Sequence, residues 1–228
     1  MTINKVEKID NCVAVKHVLV SVSDKSGLDD FIVKLAAMNS DMTFFSTGGT
    51  YAKLKEILGD SASSRLRQVS DYTGQPETQG GLVKTLDFKI YLGLLTETYN
   101  DAHRHDLLRT GSVPIDMVVV NLYPFKKTIS RVSATPEDAR GNIDIGGPCM
   151  IRASAKNFLR VAAVVDPSDY ERILYDLERH NGRTSLALRY QLAQKAYEHT
   201  AAYDTMISRY LADTAFANVE QCYHFHGS

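Results

Sequence analysis

The stretch His17-Val18-Leu19-Val20-Ser21-Val22-Ser23-Asp24-Lys25-Ser26-Gly27-Leu28 decides the fold. A β-branched apolar run is stopped by polar and flexible residues, and helical spacing then begins at Leu28 and continues through Phe31, Ile32 and Leu35. The segment reads as strand, polar turn and helix. The pattern recurs downstream. Met42-Thr43-Phe44-Phe45 is a short strand, Ser46-Thr47-Gly48-Gly49-Thr50 a glycine turn, and Tyr51 to Leu58 a helix closed by Gly59. Such units in series imply an α/β architecture with a parallel sheet, because each helix carries the chain back over one face. Met117-Val118-Val119-Val120 and Val161-Ala162-Ala163-Val164-Val165 supply further strands, and their unbroken apolar character marks strands covered on both faces. From Ser185 to about Leu211 a long helical pattern carries Leu188, Leu192, Ala196, Tyr203, Ile207 and Tyr210 along one side, a stripe suited to packing on the same chain or on a twin subunit.

Composition narrows the class. The chain has 228 residues, 44% hydrophobic and 23% charged, with a formal net charge of -1. That is a globular composition large enough for one sizeable α/β domain, and it offers no global attraction to nucleic acid or to an anionic membrane. Any anion binding must be local. The three cysteines, Cys12, Cys149 and Cys222, are odd in number and far apart, which argues against a disulfide framework and fits a reducing, cytoplasmic setting. The first residues mix charges and lack the apolar run of a signal peptide, and no later run approaches a membrane span. A soluble intracellular protein is expected, divided into an extension (1–16), one domain (17–214) and a tail (215–228).

Parallel sheets of this kind bind ligands outside the carboxyl ends of their strands. Ser23, Lys25, the turn Thr47-Gly48-Gly49-Thr50 and Asn121 all follow strand ends. A glycine turn between strand and helix is the usual place for a phosphate held by backbone N–H groups and hydroxyls, although it also serves plain strand-helix joins. It matches neither a dinucleotide-binding fingerprint nor a Walker A loop, so a nucleoside monophosphate or sugar phosphate is the better fit.

A second anion-binding turn is Asn142-Ile143-Asp144-Ile145-Gly146-Gly147-Pro148. Pro148 suits the first helical position, and Gly146 and Gly147 let the backbone approach a ligand closely. Steps of four residues from Pro148 reach Arg152 and Lys156, whose like charges on one helical face cost ~0.2–0.5 kcal/mol that an anion would remove. Helical side chains lean toward the N-terminus, so the Lys156 ammonium is expected to approach the turn carrying Asp144. Lys84, in an irregular glycine-flanked segment, reads either as a solvated loop charge or as a catalyst. Tyr123, at a strand end, reads either as core or as site. His103-Arg104-His105 and the tail Cys222-Tyr223-His224-Phe225-His226 bring no partner at a metal-binding spacing, so no metal is expected.

Eight strings in register resemble the IMP cyclohydrolase domain, the amino-terminal half of bifunctional AICAR transformylase/IMP cyclohydrolase. They are Ser21-Val22-Ser23-Asp24-Lys25, Ser46 to Thr50, Val69-Ser70-Asp71-Tyr72-Thr73-Gly74, Val83-Lys84-Thr85-Leu86, Asn121-Leu122-Tyr123-Pro124-Phe125, Asn142 to Pro148, Ala155-Lys156-Asn157 and His199-Thr200-Ala201-Ala202-Tyr203-Asp204. The resemblance covers residues 17–212. It implies a methylglyoxal-synthase-like three-layer α/β fold with a mostly parallel central sheet and a long C-terminal helix, a homodimer, and closure of formyl-AICAR to IMP with loss of water, without metal or organic cofactor. By matched position it implies Lys84, Tyr123, Asp144 and Lys156 as the catalytic group, with Lys156 handling the proton and Asp144 orienting it. Ser23, Lys25, Thr47, Gly48, Gly49, Thr50, Thr85, Asn121, Ile145, Gly146 and Gly147 are implied as holding the nucleotide, with Arg152 as a further cation. The transformylase half has no counterpart in these residues, which fits an isolated domain, a piece of a longer chain, or a separate cyclohydrolase whose partner is a separate transformylase.

The sequence departs from that family around the catalytic lysine. Where the family reads Gly-Arg-Val-Lys-Thr-Leu-His-Pro-Lys-Val-His-Gly-Gly, this chain has Gly81-Leu82-Val83-Lys84-Thr85-Leu86-Asp87-Phe88-Lys89-Ile90-Tyr91-Leu92-Gly93. Leu82 replaces an arginine that contacts phosphate, and losing one charge-assisted hydrogen bond costs ~1.5–3 kcal/mol, or roughly one to two decades of affinity. Asp87 is expected to add repulsion near the same anion, with Lys25, Lys89 or Arg152 available to compensate. Leu82→Arg should therefore lower KM for the nucleotide, as steady-state kinetics would show; an unchanged KM counts against the idea. Two rivals stand beside the cyclohydrolase: a nucleotide-binding regulatory module of the same fold, and methylglyoxal synthase, against which the Asn142 to Asn157 segment argues.

Overall fold

The computed structural model describes residues 5–76 and 84–227. In chain order the elements used below are β1 (Cys12–Ala14), β2 (His17–Val22), α1 (Leu28–Met38), β3 (Thr43–Ser46), α2 (Gly48–Leu58), α3 (Ala62–Arg65), β4 (Leu66–Gln68), α4 (Val69–Thr73), α5 (Phe88–Leu95), α6 (Asp101–Thr110), β5 (Met117–Asn121), α7 (Phe125–Ile129), α8 (Pro136–Gly141), α9 (Gly146–Lys156), β6 (Ala162–Val164), α10 (Tyr170–Arg179), β7 (Arg183–Ser185), α11 (Leu186–Asp213) and α12 (Phe216–Glu220).

A five-stranded sheet runs in the order β4-β3-β2-β5-β6, and every pairing in it is parallel. The chain starts in the middle, winds out to β4, and returns to continue with β5 on the other side of β2. That reversal opens a crevice between the carboxyl ends of β2 and β5. Val22 pairs with Asn121, so the loops leaving these two strands emerge side by side.

Strand alternation sorts side chains into two apolar layers. Val18, Val20 and Val22 of β2, with Met117 and Val119 of β5, pack with Phe31, Ile32 and Leu35 of α1 and Ile173 and Leu177 of α10. Leu19, Val118 and Val120 face the other way, onto Ile90 and Leu94 of α5, Met150, Ile151 and Ala155 of α9, and Ala193 and Ala196 of α11. Helices on both faces of a parallel sheet make the three-layer arrangement anticipated from sequence. β4 is an unforeseen edge strand, and β1 pairs antiparallel with β7 in a small separate ribbon.

Residues before β2 are tied to the body. Arg189 of α11 is fully buried and donates to the carbonyls of Asp10 (2.9 Å), Leu159 (3.1 Å) and Phe158 (3.0 Å). Burial pushes its guanidinium pKa down to about 10, because taking a charge out of water disfavours the charged form. Ser185 caps α11, its hydroxyl accepting from the Leu188 N–H (3.2 Å). Among the described residues no helix is long and apolar enough to cross a membrane.

Candidate active site

A cleft of about 400 Å³ opens at the switch point between β2 and β5, a size in the range of small-molecule sites. β2 contributes Ser21 and Val22, and Ser23 and Lys25 follow in the loop after it. Thr47 and the first turn of α2, the Lys84-Thr85-Leu86 segment, Asn121, Tyr123, and the turn from Ile143 to Gly147 complete the wall. Of the sequence-expected site residues, only Arg152 and Lys156 are not among those lining it.

Two helices point their N-termini at this space. At α2 the first-turn N–H groups of Gly48, Gly49 and Thr50 precede the first intrahelical bond, which runs from the Tyr51 N–H to the Thr47 carbonyl (3.1 Å). Gly48 adopts φ 48°, where glycine is tolerated without strain, and a Cβ there would lie 3.3 Å from Lys84 Nζ. Lys84 thus hangs directly over the start of α2. At α9, a Cβ on Gly146 would meet Thr85 Oγ1 at 2.8 Å, and one on Gly147 would meet Asp144 Oδ2 at 2.6 Å and Leu122 Cδ2 at 2.7 Å. Glycine is required at both positions because the Thr85, Asp144 and Leu122 side chains occupy the space a β-carbon would need.

Among the described residues the charged ones lining the cleft are Lys25, Lys84 and Asp144. Two ammonium groups and two helix N-termini against one carboxylate make an electropositive basin suited to an anion. Asp144 is itself constrained. Its Oδ1 accepts from the Gly147 N–H (2.8 Å), and burial raises its pKa above the usual carboxylate value, opposed by backbone hydrogen bonds from Gly147 and Tyr123. Tyr123 is 54% exposed at the mouth, its ring free to lie against a ligand.

Some predicted ligand-holding side chains are already engaged. Asn121 Oδ1 accepts from the N–H groups of Ser23 (2.7 Å) and Asp24 (2.9 Å), and its Nδ2 donates to the Asp24 carbonyl (2.8 Å). Thr50 Oγ1 accepts from the Val22 N–H and donates to the Val22 carbonyl, both at 3.1 Å. These two side chains fasten the end of β2 and shape the cleft.

The structure corrects three sequence expectations. Asp144 and Lys156 do not pair within the chain. Lys156 ends α9 ten residues after Gly146, about 15 Å along the axis at helical rise, which is more than a side chain leaning back one turn recovers. It is exposed, as is Arg152, whose guanidinium lies over the Tyr197 ring (5.3 Å to the centroid) and not in the cleft. Asp87 is not among the residues lining the cleft. It is 8% exposed and serves as the N-cap of α5, accepting from the Lys89 N–H (2.7 Å). Lys89 is also spent, its Nζ donating to the Tyr72 carbonyl (3.1 Å), so of the three candidate compensating cations Lys25 is the one lining the cleft. Leu82 and Val83 lie outside the described residues.

The lining residues that the sequence did not single out are Ser21, Val22, Leu86, Val120, Gly141, Ile143 and Met150. Met150, one turn into α9 on its buried side, was foreseeable from the helical period.

Gly147→Ala should displace the Asp144 carboxylate, since both flanking contacts fall under 3.0 Å. Overpacking of this kind costs ~1–3 kcal/mol of stability. A loss of turnover of at least about tenfold is expected from the misplaced carboxylate. Thermal unfolding and steady-state kinetics together check both effects.

A doubly wound parallel sheet with helices on both faces and an electropositive cleft at its switch point defines a three-layer α/β domain. The chain belongs to the MGS-like domain family, whose model matches residues 27–149. Residues 154–227 match the model of the AICARFT/IMPCHase bienzyme. Among curated proteins the chain is 44% identical over 200 residues to the bifunctional purine biosynthesis protein PurH of Ruminiclostridium cellulolyticum, covering 88% of this chain and 37% of the relative. It is 47% identical over 201 residues to PurH of Lactiplantibacillus plantarum, covering 88% and 38%. The chain therefore spans little more than a third of the length of these relatives. Among solved structures, the crystal structure of ForH superposes with a TM-score of 0.72 at 29% identity, covering 86% of this chain and 98% of that one.

Proposed function

We propose that the chain acts in purine biosynthesis as an IMP cyclohydrolase, closing formyl-AICAR to IMP and water. The observation that carries this reading is the convergence of Lys84, Tyr123 and Asp144 on a cleft floored by two helix N-termini. The similarity to PurH proteins and to the bienzyme model points to the same class of substrate.

In this reading the phosphate of the nucleotide sits at the start of α2, held by the free N–H groups of Gly48 to Thr50 and by Lys25. The imidazole lies toward the start of α9, against Ile145, Gly146 and Gly147. The carboxamide nitrogen attacks the formyl carbon and gives up one of its protons, the formamide nitrogen gives up its own as the ring C=N bond forms and the C–O bond breaks, and the former formyl oxygen departs with two protons as water. Both reacting groups belong to one molecule, so holding them in a near-attack geometry supplies much of the acceleration, up to ~7–11 kcal/mol in well-oriented systems. Lys84 and Tyr123 present donors to the oxygen that gains charge, and Asp144 accepts the amide proton. Arg152 and Lys156 touch no substrate in their own chain. A homodimer, a cytoplasmic setting and a separate transformylase supplying the substrate belong to the same reading.

The test is incubation of purified protein with formyl-AICAR, following IMP against the spontaneous rate, with dihydroxyacetone phosphate as a parallel substrate. IMP above background is the expected result. Nucleotide binding without IMP formation would favour the regulatory module, and release of methylglyoxal from the parallel substrate would favour the synthase.

A further inference from the structure

Tyr203 of α11 is 7% exposed, and its hydroxyl reaches the catalytic turn. The Asp144 N–H donates to the hydroxyl oxygen (2.8 Å), and the hydroxyl donates to the Asn142 carbonyl (3.3 Å). Between α8 and α9 the Asn142 and Ile143 N–H groups donate to the Ala139 and Arg140 carbonyls of α8 (3.1 and 3.2 Å), while this one phenol serves the Asp144 N–H and the Asn142 carbonyl. The ring meets Phe125 edge-on, with centroids 6.2 Å apart and planes at 69°. Phe125 begins α7 two residues after Tyr123. A single side chain therefore touches the turn carrying Asp144 and the helix that follows Tyr123.

We propose that Tyr203 is the positioning residue for the site: its hydroxyl fixes the backbone of the Asn142 to Asp144 turn while its ring braces the start of α7, so that Asp144 and Tyr123 face one cleft at a set separation. The inference rests on the cyclohydrolase reading for its kinetic consequence, and on geometry alone for its structural one. Asp144 is gripped from two sides. Tyr203 holds its main chain, and the Gly147 N–H holds its carboxylate. With the hydroxyl removed, the Asp144 carboxylate keeps its backbone donors, but the Asp144 N–H must find water, which draws the residue outward. The titratable groups that share Asp144's surroundings are Lys25 and Lys84 of the cleft, Tyr123 from the loop after β5 and Tyr203 itself. None of the other three changes when the hydroxyl is deleted, so a change in Asp144 titration reports the turn.

Tyr203→Phe retains the ring and deletes the hydroxyl. Its kcat for IMP formation should fall on the order of 10- to 100-fold, the cost of misplacing a reacting group by about an ångström, while KM stays within about threefold. Tyr210→Phe is the control, because Tyr210 meets Phe125 from the same helix (5.8 Å, 89°) without reaching the turn, and it should keep parental kinetics. Independently of turnover, 13C NMR titration of the Asp144 carboxyl should show its midpoint moving down toward the ordinary carboxylate range in Tyr203→Phe and unmoved in Tyr210→Phe. A Tyr203→Phe protein with parental kcat and parental Asp144 midpoint would overturn the assignment. If the parent forms no IMP, the cyclohydrolase reading falls, and the titration alone decides for or against Tyr203.

Discussion

Asp144→Asn should lower turnover by ~10²–10⁴, the usual contribution of a positioned proton acceptor, without loss of stability at neutral pH. The two halves of that expectation come from the same carboxylate. Asparagine keeps an oxygen able to accept from the Gly147 N–H, the bond that holds the side chain (2.8 Å), so the turn should survive the change. It cannot accept a proton. The stability half follows from the sign of the pKa shift. Burial raises the Asp144 pKa above the value of 3.8 it would have in an unfolded chain, so the folded state favours the protonated form. The stabilising effect of that protonated group is complete below the unfolded value and is lost as pH rises through 3.8 and on to the folded value. At neutral pH the native protein carries an ionised group that folding disfavours, and the asparagine variant does not. The acid limb of kcat/KM in the parent should accordingly have its midpoint above the ordinary carboxylate range. A variant that kept its turnover would remove Asp144 from the mechanism; one that lost turnover by unfolding would be recognised by its lowered Tm.

The fold was legible where apolar runs were long enough to impose a period. β2 is dominated by Val18, Leu19, Val20 and Val22 and β5 by Met117 and Val118 to Val120, and α11 announces itself with Ser185 ahead of a sustained stripe. β4 was invisible because Leu66-Arg67-Gln68 is an edge strand with one buried side chain, too short and too polar to alternate. β1 and β7 exist through each other, as Cys12 pairs with Ser185 far along the chain, and local propensity carries no trace of that. At the site, strand ends and glycine turns could be read because their function is local. Their partners could not. Asp87 resembled a misplaced charge when set against a family pattern, yet its position two residues ahead of the Lys89 N–H made it a helix cap. Reach along α9 was misjudged for Lys156, since one face of a helix does not mean one end of it. Tyr203 lay inside a quoted string, but a tyrosine in an amphipathic helix looks like core until the turn it holds is seen 59 residues away.

Arg160→Met should destabilise the protein by ~3–5 kcal/mol, as expected when one member of a buried ion pair is removed. The arginine is 6% exposed. Its Nη1 lies 3.0 Å from Asp116 Oδ1 and donates to the Ile115 carbonyl (3.0 Å), its Nε donates to the Thr96 carbonyl (3.3 Å), and its Nη2 donates to the Gly93 carbonyl. Asp116 Oδ2 in turn accepts from the N–H groups of Lys16 and His17, both at 2.9 Å. Methionine fills much of the volume but leaves the Asp116 charge without its cation and the Ile115 carbonyl without this donor, while the Thr96 and Gly93 carbonyls keep the Asn157 Nδ2 and Ile115 N–H donors. In a chain of this size the loss corresponds to roughly 6–20 °C in Tm, measurable by calorimetry or urea unfolding. Adding Asp116→Asn should restore part of it, because the unpaired charge is then removed while an oxygen remains for the two backbone donors; a single variant losing under about 1 kcal/mol would mean that water or relaxation satisfies these groups. The clasp matters to the cleft through leverage. Asn157, three residues earlier, donates to the carbonyls of Leu94 (2.7 Å) and Thr96 (3.0 Å), so Asn157 and Arg160 together bolt the C-terminal end of α9 to that of α5. The N-terminal ends of the same two helices follow the Asp144 turn and the Lys84-Thr85 segment. Fixing two packed rods at one end limits how far apart they can swing at the other. The separation between the lysine wall and the carboxylate wall is therefore set partly by an ion pair at the amino-terminal ends of the strands, opposite the cleft.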